Sequence, residues 1–166
     1  MAQEQANISQ GQRQAERDLL LSQMRSSLDQ EMIAIVQVSW EDIAPDSRLA
    51  ASMLAMNLCA DDRNIASLFE EDRIKMSRDV MQGVSCIVAG LDQPETLVPY
   101  LGSLGQLLRR HGLHESGQQT FATALFLTLG QLLGPRYGPV EHNAWAIAYS
   151  FVVRIMIAES RPLSGG

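Results

Sequence analysis

Cysteine is scarce in this chain, which limits the kinds of site that it can build. Cys59 and Cys86 are the only cysteines among 166 residues, and they form no Cys-x-x-Cys pair. Structural zinc sites and disulfide frameworks need more cysteines at closer spacing, so the sequence predicts neither of them. Both residues have apolar neighbours, where free thiols are commonly buried, and we expect two buried, reduced thiols.

The chain also lacks long apolar runs and an excess of positive charge. Its net charge is −6 at neutral pH, whereas nucleic-acid binding requires a basic surface. No apolar stretch approaches the length of a membrane span, and residues 1–18 lack the apolar segment of a secretory signal. We therefore expect a soluble cytoplasmic protein with no nucleic-acid partner and no membrane span.

Catalytic and metal-binding patterns are missing as well. Gly102-Ser103 lacks the strand–turn–helix context of a nucleophile elbow, and Gly112 with Gly117 forms no phosphate-binding loop. The acidic runs at 61–62 and 70–72 are not spaced like calcium ligands. The sequence thus predicts that the protein is not an enzyme and holds no metal ion.

Helical periodicity is the main signal that the chain does carry. Apolar residues make up 46% of it, enough for one buried core, and no segment shows the alternation typical of strands. Stripes at helical spacing predict helices over 32–43, 46–62, 73–90, 95–111, 116–133 and 140–159, with a short helical turn at 64–69. The predicted fold class is therefore all-α, with one domain over 30–160 and a flexible tail over 161–166.

Residues 1–29 are predicted to form a Gln-rich extension that precedes the domain. Residues 1–15 show no periodicity, but from Ala15 onward an apolar stripe includes Leu20, Met24 and Leu28. This stripe predicts an amphipathic helix for which two roles are open. The helix either packs on its own domain or docks on a second copy or a partner protein.

Several local strings of the sequence resemble those of globins. Val-Ser-Trp at 38–40 resembles the first-helix signature, and Ser-Leu-Phe at 67–69 resembles the corner that places a phenylalanine against haem. Residues 92–97 resemble the turn into the proximal helix, and Ala-Trp at 144–145 resembles the last helix. Glu159 aligns with a family glutamate, although exposure at a helix end explains it equally well. Over about 32–159 the chain is similar to single-domain bacterial haemoglobins and neuroglobin-like globins, which implies a globin fold (a helical sandwich) with an extra N-terminal helix.

The register of this resemblance places a leucine where globins bind iron. Their proximal histidine stands in a string Leu-Gly-x-x-His before a Gly-Val corner, and residues 104–113 here read Leu-Gly-Gln-Leu-Leu-Arg-Arg-His-Gly-Leu. The iron-ligand position is therefore Leu108, and a leucine cannot coordinate iron. The positions that contact the bound ligand on the distal side of haem are Ala55, Met76 and Val80. Alanine and methionine are unusual at the first two positions in the family, whereas an apolar residue is usual at the third. The resemblance implies a pocket lined by apolar side chains: Ala55, Phe69, Met76, Val80, Leu107, Leu108, Leu113 and Leu125.

A second register of the proximal helix stays open. Sliding that helix by three residues puts His111 at the iron and loses the Leu-Gly and Gly-Leu matches. In that register the chain would be a haem b globin that binds oxygen or another diatomic gas. His111 follows two arginines, and a surface position near a helix end explains it as well.

The preferred register predicts a haem-free globin, without a cofactor, that acts as a sensor or interaction module. It resembles the haem-free globin domains of bacterial stress-signalling proteins, in which a pre-domain helix and the last two helices form a dimer. We accordingly expect a homodimer or a partner protein at these helices. A vacated pocket that side chains do not fill would take an apolar small molecule. A third hypothesis makes the chain an architectural subunit of a larger assembly.

Overall fold

The computed structural model describes residues 9–61, 73–110 and 115–163, with only the backbone described at 61, 73–74, 76–77 and 115–118. The helices, labelled in chain order, are α1 (Gln10–Ser27), α2 (Gln30–Ile43), α3 (Ser47–Asp61), α4 (Arg73–Ala89), α5 (Val98–Arg110), α6 (Glu115–Leu133) and α7 (Pro139–Ser160). Short 3₁₀ turns occupy Ala44–Asp46, Pro94–Leu97 and Gly134–Arg136. None of the described residues forms a β-strand, so the prediction of an all-α chain is confirmed. The predicted turn at 64–69 lies outside the described residues.

Helix α1 begins earlier than its apolar stripe predicts. Ser9 Oγ accepts a hydrogen bond from Gln12 N at 3.2 Å, and Gln12 Oε1 accepts one from Ser9 N at 3.0 Å. This reciprocal capping box satisfies two backbone N–H groups that a helix start otherwise leaves free. The sequence shows no periodicity over 10–15 because the first turns of α1 are polar and mostly exposed and therefore leave no apolar stripe.

The segment predicted as one helix over 95–111 is divided in the structure. Pro94–Leu97 is a 3₁₀ turn, and α5 starts only at Val98. In one continuous α-helix the nitrogen of Pro99 would have to donate to Glu95, and proline has no N–H to donate. Pro99 is instead placed in the first turn of α5, where the missing donor costs nothing.

Helix α7 lies at the centre of the packing. It contacts α1, α2, α5 and α6, while α3 packs on α4 and α6. The ring centroids of Trp40 in α2 and Trp145 in α7 are 6.0 Å apart, with the ring planes tilted by 57°. Both rings are buried and belong to one continuous hydrophobic cluster, which α1 joins through Leu20 and Met24. The two tryptophans are therefore packing residues of the core.

The surface differs from the prediction at the cysteines. Cys59 is half-buried, but Cys86 is exposed. Val84 and Val88 on the same helix face the core, and a residue midway between them must point to the opposite side of the helix. Within the described ranges, no helix has the length and apolar character needed to cross a membrane.

Candidate functional site

The residues of the predicted pocket fall into three groups. Ala55 in α3 and Leu125 in α6 are buried in the main core, and the partly buried Val80 and Leu108 pack against it. Leu107 is 45% exposed and lies on the solvent side of α5. Phe69, His111 and Leu113 and the side chain of Met76 lie outside the described residues.

Two glycines let α5 lie directly against the end of α7. A Cβ added at Gly105 would stand 2.8 Å from the carbonyl oxygen of Met156 and 2.7 Å from Ser160 Cβ. A Cβ at Gly102 would stand 3.2 Å from Glu159 Cβ. The side chain of Arg109 also donates to the Ser160 carbonyl oxygen at 3.0 Å. Helix α5, which carries Leu108, is therefore held against α7 by backbone-level contact.

Leu108, which the resemblance to globins aligns with the iron ligand, has no atom that could bind haem iron. The proximal side of haem iron requires a side chain with a lone pair, such as histidine, cysteine, methionine or tyrosine. Leu108 offers only carbon and hydrogen, and it packs against the core of the chain's own apolar side chains. The chemistry of the described part of α5 thus favours apolar packing over iron coordination.

The apolar stripe of α1 is used within the chain. Leu20, Met24 and Leu28 retain only 7%, 2% and 3% of their exposure, because they join the core beside α7. The stripe therefore packs on its own domain. Among the large apolar side chains of α1, Leu19 is exposed, at 58%, on the other side of the helix.

An ion pair that the sequence did not reveal ties α1 to α7. Glu159 is only 8% exposed, which contradicts the exposed position considered for it. Its carboxylate accepts from Arg17 Nε at 2.8 Å and from Arg17 Nη2 at 2.9 Å. This hydrogen bonding to the carboxylate raises the pKa of Arg17. A second, more exposed pair, Arg161 with Glu16 at 3.3 Å, lies nearby.

Aromatic side chains line the junction between α6 and α7, and we call them the aromatic face: Phe121, Phe126, Tyr137, His142 and Tyr149. Phe121 and Tyr149 are stacked with centroids 6.2 Å apart, and Phe126 meets Tyr149 edge-on at 5.8 Å. Tyr137 Oη and His142 Nδ1 are hydrogen-bonded at 2.9 Å. Burial raises the pKa of Tyr137 to about 12 and raises that of Tyr149 further.

A groove runs along the outer side of α2, and we call it the α2 groove. Its volume is about 360 Å³, and its lining consists of Glu31, Ala34, Ile35, Val38, Ser39, Asp42, Leu133, Arg136 and Glu141. The sequence did hold a signal for it, because Ala34, Ile35 and Val38 lie off the buried stripe of α2. Apolar residues on two sides of one helix indicate a second contact surface.

A second groove of about 340 Å³ lies where α1 meets α2. Its apolar lining consists of Met24, Leu28, Ile33, Leu91 and Pro94, and its lining also includes Arg25, which pairs with Glu95. Neither groove includes Ala55, Val80, Leu108 or Leu125.

Among the described residues, no three or more histidine, cysteine, aspartate or glutamate side chains come together in a way that could hold a metal ion. Comparison of the chain with known protein families finds no family that matches it.

Proposed function

We propose that the chain is a haem-free, globin-like protein that acts in the cytoplasm as a non-enzymatic sensor or interaction module. The helix order, with the first domain helix α2 packed on the last helix α7, agrees with the resemblance on which the proposal rests. An N-terminal helix precedes this plan and is docked on it through the Arg17–Glu159 pair.

The observation that carries the haem-free part of the proposal is the packing of Leu108. It is partly buried against the core, on a helix that Gly105 holds against Met156 and Ser160 of α7. An apolar side chain in that place stabilises the chain by burial, as a core residue does. The leucine side chain has no lone pair that could coordinate iron. The role of Leu108 in α5 is therefore packing.

The aromatic face supports the interaction part of the proposal. Phe121, Phe126 and Tyr149 are only partly buried, although they stack on one another. Leu127, on the exposed side of α6, is 50% exposed. Large aromatic side chains that stay partly exposed are typical of interaction surfaces, where they supply contact area at little entropic cost. We propose that the last two helices bind a second copy of the chain.

Haem binding is tested by absorption spectroscopy of protein produced with ample haem, together with haem titration of the purified chain. We expect no Soret band and no saturable binding, because Leu108 cannot ligate iron. A stoichiometric Soret band that disappears in His111→Ala would overturn the proposal. The chain would then be a haem b globin for oxygen or another diatomic gas.

Dimerisation is tested separately by sedimentation velocity over a range of protein concentrations. We expect a dimer that dissociates in Leu127→Arg, because a charge placed in an apolar interface loses its water. Leu49→Arg is the matched control, because Leu49 is 54% exposed and lies on α3, outside the aromatic face. A wild-type chain that stays monomeric at every concentration would contradict the dimer.

A further inference from the structure

The α2 groove shares no lining residue with the aromatic face, and its floor exposes apolar side chains to water. Ala34, Ile35, Val38 and Leu133 form its apolar part. Val38, at the centre, is 57% exposed although valine is among the residues most often buried. Val36, two residues earlier, is completely buried on the opposite side of α2, so this helix presents a valine both to the core and to the solvent.

The charges around this floor are arranged at its two ends. Helix α2 contains no lysine or arginine. Glu31 stands at one end of the groove, and Asp42 and Glu141 stand at the other. Arg136 lies at that second end and pairs with Asp42 at 3.0 Å. Because these two charges cancel, the net charge of the second end is the negative charge of Glu141. Both ends therefore remain negative, with an apolar stretch between them.

The length of the groove matches a helix laid alongside α2. Glu31 and Asp42 are eleven residues apart on one helix, a separation of about 16 Å along its axis. Ala34, Ile35 and Val38 lie between them at spacings of three and four residues, so they form one ridge-and-groove surface. A second amphipathic helix presents apolar residues at this same spacing.

We propose that the α2 groove binds an amphipathic helix of a partner protein. The apolar residues of that helix lie over Val38 and Ile35, and its lysine or arginine residues, about three turns apart, meet Glu31 at one end and Glu141 at the other. Charge complementarity selects this occupant, because an acidic helix would bring like charges together at both ends.

The probe is a synthetic helical peptide of about 18 residues, with leucines at spacings of three and four and two lysines at each end. Its matched partner replaces the lysines by glutamates. Titration followed by the NMR amide shifts of Ala34, Ile35 and Val38 measures binding to the full chain. We expect a dissociation constant of about 10–100 μM for the lysine peptide at low salt, about tenfold weaker binding for the glutamate peptide, and weakening by salt.

Val38→Lys places a positive charge on the floor and is expected to abolish binding. Leu49→Lys makes the same change at an equally exposed site on α3 outside the groove, and it should bind like the wild type. Because both side chains are exposed, both variants should keep the wild-type melting temperature. Glu31→Lys reverses the charge at one end of the groove and is expected to weaken binding of the lysine peptide by about threefold to tenfold.

Three results would overturn the proposal. The first is equal affinity for the two peptides, or no binding of either. The second is undiminished binding by Val38→Lys. The third is self-association of the chain that Val38→Lys abolishes and Leu127→Arg leaves intact, because it would assign the groove to a second copy. Dimerisation through the aromatic face is measured without peptide, so its failure is seen separately.

Discussion

The guanidinium of Arg17 and the carboxylate of Glu159 form two parallel hydrogen bonds, at 2.8 and 2.9 Å, across 142 residues of sequence. The pair joins the second turn of α1 to the end of α7. Glu159 is buried, at 8% exposure, while the side chain of Arg17 retains 34%. The bond thus anchors an N-terminal helix whose apolar stripe alone would not specify its angle on the domain.

Arg17→Ala is expected to lower the free energy of unfolding by about 2 kcal/mol, because it leaves a buried carboxylate without a partner. The exposure of Arg17 lets water screen part of the pair, so the loss is smaller than for a fully buried one. Urea denaturation measures it. Arg161→Ala is the control, since its pair with Glu16 is about one-third exposed on both sides and should cost about 0.5 kcal/mol or less. Equal losses for the two variants would contradict the assignment.

Ser39→Ala is expected to cost about 1–3 kcal/mol of unfolding free energy. The indole Nε1 of Trp145 donates to Ser39 Oγ at 2.8 Å, and both residues are buried. Removal of the hydroxyl leaves that N–H without an acceptor and without water. Ser85→Ala is the matched control, because Trp40 Nε1 donates to Ser85 Oγ at 2.9 Å in a partly buried place where water can replace it. Ser39→Ala should cost less in a Trp145→Phe background than alone.

The helices were predictable to the extent that their apolar stripes are continuous. The buried stripe of α2, with Ile33, Val36 and Trp40, is visible in the sequence as spacings of three and four residues. The start of α1 was not predictable in this way, because a capping box of Ser9 and Gln12 determines it and the residues that follow are polar. Local hydrogen bonding decided that boundary, and periodicity cannot report it.

The candidate sites were less predictable, because they depend on contacts between distant segments. Nothing near Glu159 in the sequence points to Arg17, so its burial could be known only from the packing of α1. Leu107 and Leu108 are adjacent leucines of equal hydrophobicity, and the orientation of α5 on α7 determines which one is exposed. Val38, an apolar residue outside the buried stripe of α2, indicated a second contact surface. The lining of the α2 groove also includes Glu141, which is distant in sequence and could not be assigned to it from the sequence.

Stability is expected to fall as the pH rises above 10, because burial raises the pKa of all three tyrosines from 10.0, that of Tyr137 to about 12. Below pH 10 the phenols are neutral in both states, and their contribution to stability is fully present. Between pH 10 and about 12 the unfolded chain loses the Tyr137 proton first, so unfolding becomes more favourable. Urea denaturation at about pH 9 and about pH 11 measures the slope, which Tyr137→Phe and Tyr149→Phe should reduce. An unchanged slope in both variants would contradict this origin.

Gly105→Ala is expected to destabilise the chain by about 1–3 kcal/mol, because the added methyl would stand 2.8 Å from the Met156 carbonyl oxygen. A backbone atom cannot rotate away, so α5 has to move off α7 and disturb the packing of Leu108. Gly130→Ala is the control: its new methyl would meet only the ring of Tyr137 at 3.5 Å, and replacing a helical glycine there should stabilise by about 0.5–1 kcal/mol. Thermal unfolding of the two variants should therefore shift in opposite directions. A Gly105→Ala variant as stable as wild type would mean that α5 is not held against α7, and it would remove the structural support for Leu108 as a packing residue.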